Sequence, residues 1–126
     1  TRRSSDLPCY THTCGAIGDR LDLMEATGLD GIDTLDPPPL GTVELDTAKA
    51  FLGSRVFIKG NIDSVNTLLL GKYEDAMEDI KRRIAWGKPG GAYILSTACS
   101  VAPRVPGERL EIMADLCEEH GKYDRD

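Results

Sequence analysis

Glycine punctuates this chain, and its spacing limits the fold more than any other feature. Gly28, Gly53, Gly87 and Gly121 each close a stretch expected to be helical. A glycine in that place takes the left-handed conformation that ends the last turn. The four stand 25, 34 and 34 residues apart. After each of the first three comes a short strand-forming run, at 31–35, 55–59 and 92–96, and a further run at 7–11 precedes the first helix. The expected order is therefore β-α-β-α-β-α-β-α. Leu45, Ala48 and Leu52 share one helical face, as do Met77, Ile80 and Ile84 of the expected helix 74–86. The same spacing puts Leu110, Met113, Ala114 and Cys117 on the buried face of a last helix, 108–120.

Strands that alternate with helices run parallel and are joined by right-handed crossovers. A complete (β/α)₈ barrel of about 250 residues spends roughly 31 on each unit. Four units in 126 residues make half of such a barrel, or a small open sheet, as a single domain over 1–126. No Gly-x-Gly-x-x-Gly and no phosphate-binding loop follows a strand, so no dinucleotide or nucleotide site is signalled. The loop Asp36-Pro37-Pro38-Pro39-Leu40-Gly41 is long for a strand-to-helix connection. Such loops are where parallel α/β folds carry chemistry.

Charge narrows the function. The net charge is −6, and the longest basic run, Lys81-Arg82-Arg83, follows Glu74, Asp75, Glu78 and Asp79 in one expected helix. That pattern reads as a solvated helix face that suits the helix dipole, not as a grip for nucleic acid or an anionic membrane. No apolar stretch approaches the roughly 18 residues that span a bilayer. Residues 1–6 are followed by no apolar signal core, so a cytoplasmic location is expected. The chain lacks a starting Met and reads as beginning inside a longer protein. Its cysteines, Cys9, Cys14, Cys99 and Cys117, are then expected to be reduced thiols.

The informative cluster is Cys9-Tyr10-Thr11-His12-Thr13-Cys14-Gly15. In extended chain, residues two apart point the same way, so His12 and Cys14 face together, both expected just past the first strand. Cys9 has the opposite parity and is expected to face the covering helices. Cys99 holds the corresponding place after the last strand. One His and two Cys at a C-terminal rim match a Cys₂His zinc site with an open fourth position, and two thiolates would cancel the charge of Zn²⁺. Spacing alone leaves the alternative of three packing residues open. Cys117, beside Met113, is expected in the core. His120 closes a helix and suits its dipole.

Several of these residues fall into a familiar order: His12-Thr13-Cys14-Gly15, Gly60-Asn61-Ile62-Asp63, Cys99-Ser100-Val101-Ala102-Pro103, Pro106-Gly107-Glu108 and Gly121-Lys122-Tyr123. From about Leu7 to Tyr123 the chain resembles the C-terminal half of the uroporphyrinogen decarboxylase superfamily, most closely its cobalamin-dependent methyltransferase branch. The resemblance implies half of a (β/α)₈ barrel, with zinc on His12, Cys14 and Cys99. It further implies methyl transfer between a corrinoid, free methylcobalamin or a corrinoid protein, and a thiol or methylated small molecule. Asp36 matches a recurrent acid of the family and is the candidate catalytic residue, able to orient a zinc ligand or touch substrate; an Asx turn before the prolines is its alternative role. Ala98 and Arg109 depart from the family's usual Gly and Asn, at a turn and a helix start. Two other readings remain: uroporphyrinogen decarboxylase itself, which needs no metal, and a non-catalytic barrel fragment. A four-strand slice also implies a partner, either the missing N-terminal half-barrel or a second copy of the chain.

Overall fold

The computed structural model describes residues 6–124, leaving outside it most of the N-terminal stretch read for a signal. Its elements are β1 (Tyr10–Thr13), α1 (Leu21–Ala26), β2 (Gly31–Thr34), α2 (Leu45–Leu52), β3 (Phe57–Ile62), α3 (Tyr73–Gly87), β4 (Tyr93–Thr97) and α4 (Gly107–His120). The four strands form one parallel sheet in chain order, so the expected α/β alternation is what the chain adopts. No described helix is long and apolar enough to cross a membrane.

Strand ends shift from the sequence reading. β1 starts at Tyr10 because Pro8 has no N–H for a ladder and Leu7 is exposed. β3 starts two residues later than expected, since Arg55 is drawn back to α1 and α2. Its guanidinium pairs with Glu25 and donates to the Phe51 carbonyl. The strand then runs through Gly60 to Ile62. Gly28 and Gly53 do have positive φ, 79° and 61°. Gly87 and Gly121 do not, and space explains them instead. A Cβ on Gly87 would fall 2.3 Å from the Tyr93 ring, and one on Gly121 would fall 2.4 Å from the Cys117 carbonyl oxygen.

One face of the sheet makes the core. Ile32 and Ile58, neighbours in register, pack with Leu45, Ala48 and Leu52 of α2. Ile62 packs with Ile80 and Ile84 of α3 and Leu116 of α4. The opposite face carries the row Tyr10, Gly31 and Phe57, and above it His12, Asp33, Lys59 and Ile94. Tyr10 and Ile94 are about half exposed there, at 51% and 49%. In a closed barrel that face lines the interior.

α4 buries only part of the expected stripe, and its fully buried residue is one not expected. Leu116 is buried and Ile112 and Met113 lean on the same cluster, whereas Leu110 and Ala114 are exposed and Cys117 is half-buried. Among the described elements the helix packs chiefly against α3, and that contact selects which of the two adjacent apolar stripes is covered. The basic run of α3 is likewise not all solvated. Arg83 is buried, bonded to Glu44 at 3.2 Å, Asp79 at 3.2 Å and Asn61 at 3.4 Å, with Trp86 beneath it. Its position one turn after Asp79 puts it on the inward face of α3, where Asn61 also donates to the Leu35 carbonyl at 2.8 Å.

Arg109 fastens α4 to the loop after β3. Its Nη1 donates to the carbonyls of Leu68 at 2.8 Å and Gly71 at 2.6 Å, and more weakly to Thr67 at 3.4 Å. Arg109→Ala leaves those carbonyls without a charged donor and is expected to cost about 1–3 kcal/mol in urea unfolding. It is expected to leave metal content unchanged.

Candidate metal centre

Parallel strands bring their C-terminal ends to one rim, and that geometry assembles the site. His12 is the third residue of β1, inside the strand and not past it as expected; Cys14 lies just beyond its end. The loop after β4 carries Cys99, following Ala98, whose N–H bonds the Ile62 carbonyl at 2.7 Å. A nitrogen of His12 and the sulfurs of Cys14 and Cys99 all lie within 4.8 Å of one another, and all three side chains are exposed. All four cysteines are free.

The hydrogen bonds set the histidine tautomer. Nδ1 of His12 lies 2.9 Å from Oδ2 of Asp33, and a carboxylate only accepts, so Nδ1 carries the proton. Nε2 therefore presents a lone pair toward Cys14, whose Sγ stands 3.4 Å away. The Thr34 hydroxyl sits 3.0 Å from Nδ1. Lys59 holds the other oxygen of Asp33 at 3.0 Å. Burial works to raise the Asp33 carboxyl, but the bonds to His12 and Lys59 outweigh it and hold it below its ordinary value. The Cys14 thiol is pushed up, first by desolvation and then by the neighbouring Cys99, Asp36 and Asp33.

Asp36 is buried and points across the loop. Its Oδ2 accepts the Gly15 N–H at 2.6 Å, which pins the turn directly after Cys14. Gly15 takes that turn with φ 88°. The carboxylate is thus engaged with the Cys14 turn and not with the prolines that follow it. Behind it, a Cβ on Gly41 would fall 1.6 Å from the Asp36 carbonyl oxygen, so glycine is required for the loop to close on itself.

Residues the sequence reading passed over complete the site: Asp33, Thr34 and Lys59. For Asp33 and Lys59 the signal was a charge inside a strand-forming run, directly after Ile32 and Ile58; Thr34 gave none. A cleft of about 330 Å³ opens beside them, lined by His12, Asp33, Lys59, Ser96 and Cys99. The larger hollow, along the outer edge of β1 and α1, is lined mainly by apolar side chains such as Leu7, Ile17, Met24 and Leu29. It takes in the exposed Cys9 and also Cys14, while Cys117 and His120 lie on α4.

The family model of uroporphyrinogen decarboxylase (URO-D) matches residues 1–120. The chain belongs to that family. Its relatives within the URO-D family divide between two activities. It is 30% identical over 118 residues to a methylcobamide:CoM methyltransferase of Methanosarcina acetivorans, covering 94% of this chain and 32% of that one. It is 28% identical over 109 residues to one of Methanosarcina barkeri, covering 86% and 30%. It is 26% identical over 102 residues to the uroporphyrinogen decarboxylase of Ruthia magnifica, covering 81% and 27%. The fold matches a methyltransferase from Methanosarcina mazei with TM-score 0.68 and 25% identity, over 87% of this chain and 30% of that chain. This URO-D family chain thus spans about a third of the length of the curated relatives it matches.

Proposed function

We propose that this chain supplies the C-terminal half of a zinc-dependent methyltransferase barrel, acting between a corrinoid and a thiol or methylated small molecule. The observation that carries the reading is the convergence of His12, Cys14 and Cys99 at the strand ends. Ligands on tetrahedral zinc, with bonds of about 2.0–2.3 Å, stand roughly 3.5–3.8 Å apart. The 3.4 Å between Nε2 of His12 and Sγ of Cys14 is close to that edge, and the three donors together lie within 4.8 Å, a set that suits zinc in kind and that a bound ion would draw closer. Two relatives named as methylcobamide:CoM methyltransferases support the corrinoid half of the reading.

Each residue has a part. Cys14 and Cys99 offer thiolates that together offset a divalent charge, and His12 offers Nε2. Asp36 fixes the turn that aims Cys14. Zinc held there would favour the thiolate form of a bound acceptor at neutral pH, the nucleophile that takes a methyl group as the thiol proton is lost. The cleft beside Lys59 leaves room for a small acceptor.

Both thiols must lose their protons to bind, and the raised Cys14 thiol strengthens that dependence. Zinc binding is expected to release protons and to weaken as pH falls. Calorimetry in two buffers of different ionisation enthalpy reads that release directly; equal heats in both would contradict it.

The intact barrel tests the reaction. With a metal chelator present, methyl transfer from methylcobalamin to a thiol is expected to stop. Chelator-insensitive release of carbon dioxide from a porphyrinogen would instead establish the decarboxylase reading that the Ruthia magnifica relative supports. Among the described residues the sheet has an open strand on each side and a half-exposed inner face. Taken alone, the chain is therefore expected to associate, with a second copy or with the N-terminal half-barrel. Light scattering that gives a clean monomer at micromolar concentration would count against the half-barrel assignment.

A further inference from the structure

We propose that Asp33 is the positioning residue of the metal centre and that Lys59 locks it, an inference that rests on the metal reading of His12, Cys14 and Cys99. Three adjacent parallel strands place His12, Asp33 and Lys59 directly beside one another in register. Side chains in such a row point the same way, so the arrangement needs no loop to build it. The Asp33 carboxylate is held at both ends: Oδ2 takes Nδ1–H of His12 at 2.9 Å, and Oδ1 takes the Lys59 ammonium at 3.0 Å. With both oxygens engaged, the carboxylate resists turning, and the imidazole is held in one tautomer with Nε2 aimed at Cys14.

Stability alone does not explain the row. Asp33 is 13% exposed, but its partners His12 and Lys59 are 52% and 33% exposed, and solvent weakens what such pairs contribute to folding. What the row does achieve is orientation and charge. A carboxylate behind a ligating imidazole raises the basicity of the nitrogen that faces the metal, and such partners are worth about 10–100-fold in metal affinity. The Thr34 hydroxyl also lies 3.0 Å from Nδ1 and 3.3 Å from Nε2, but it carries no charge. Lys59 has the further effect of occupying Oδ1 of Asp33, so that the acid serves the histidine and does not compete for the cation itself.

The test is zinc affinity measured by chelator competition, together with the visible spectrum of the Co²⁺-substituted protein. Asp33→Asn keeps the shape and removes the charge, and is expected to weaken zinc binding about 10–100-fold and to shift the Co²⁺ bands. Asp33→Glu is expected to restore part of the affinity, which a merely structural role would not predict. Lys59→Met leaves Asp33 in place and is expected to give a smaller loss, so the proposal stays testable if Asp33→Asn does not fold. Thr34→Val is expected to leave affinity unchanged. Wild-type affinity and spectrum in both Asp33→Asn and Lys59→Met, or a loss confined to Thr34→Val, would overturn the proposal while leaving the metal site standing. Failure of the wild type to bind zinc or Co²⁺ would overturn both.

Discussion

Cys99→Ala is expected to lower zinc affinity by at least about a hundredfold, because residues that merely hold a ligand already account for about 10–100-fold. His12→Ala and Cys14→Ala are expected to do the same. In the metal-free protein all three are expected to unfold within about 0.5 kcal/mol of wild type, since these side chains are exposed and contribute little packing. Cys9→Ala and Cys117→Ala are the controls. Both thiols are free, and neither belongs to the group that converges on the rim. Metal analysis after dialysis against a weak chelator separates the two sets; equal zinc in Cys99→Ala and Cys9→Ala would refute the ligand assignment.

A second large effect is expected in the core. Ile58 is fully buried between the sheet and α2, and Ile58→Ala is expected to cost about 2–5 kcal/mol in urea unfolding. Ile94, on the other face, is 49% exposed, and Ile94→Ala is expected to cost under about 1 kcal/mol in the isolated chain. The contrast has a use beyond stability. On the half-barrel proposal, closure would turn Ile94 into the interior, and the cost of Ile94→Ala is then expected to rise toward that of a buried residue. No rise on adding the N-terminal half would mean that this face is not where the barrel closes.

The two sites of prediction differ in how far the sequence reveals them. Helix and strand order was legible because Gly28 and Gly53 follow helices with the positive φ that glycine favours, while at Gly87 and Gly121 a side chain has no room, and either cause leaves a glycine at the boundary. His12 and Cys14 were legible because their relation is local, two residues apart in extended chain. Cys99 followed from its equivalent place after β4. Asp33 and Lys59 were not, because their relation to His12 exists only through strand register, which no local pattern encodes. The buried stripe of α4 was misread for a similar reason: Leu110 and Ile112 are equally apolar, and the packing against α3 decides which is covered. Arg83 shows the limit of charge patterns, since a run that looks solvated hides one guanidinium among Glu44, Asp79 and Asn61.

X-ray absorption at the zinc edge of the metal-loaded protein reads the ligand set itself. The predicted first shell has two sulfurs near 2.3 Å, one imidazole nitrogen at about 2.0–2.1 Å and one further light atom at the open position. A shell of oxygen and nitrogen alone, with no sulfur scattering, would contradict the assignment of Cys14 and Cys99 as ligands.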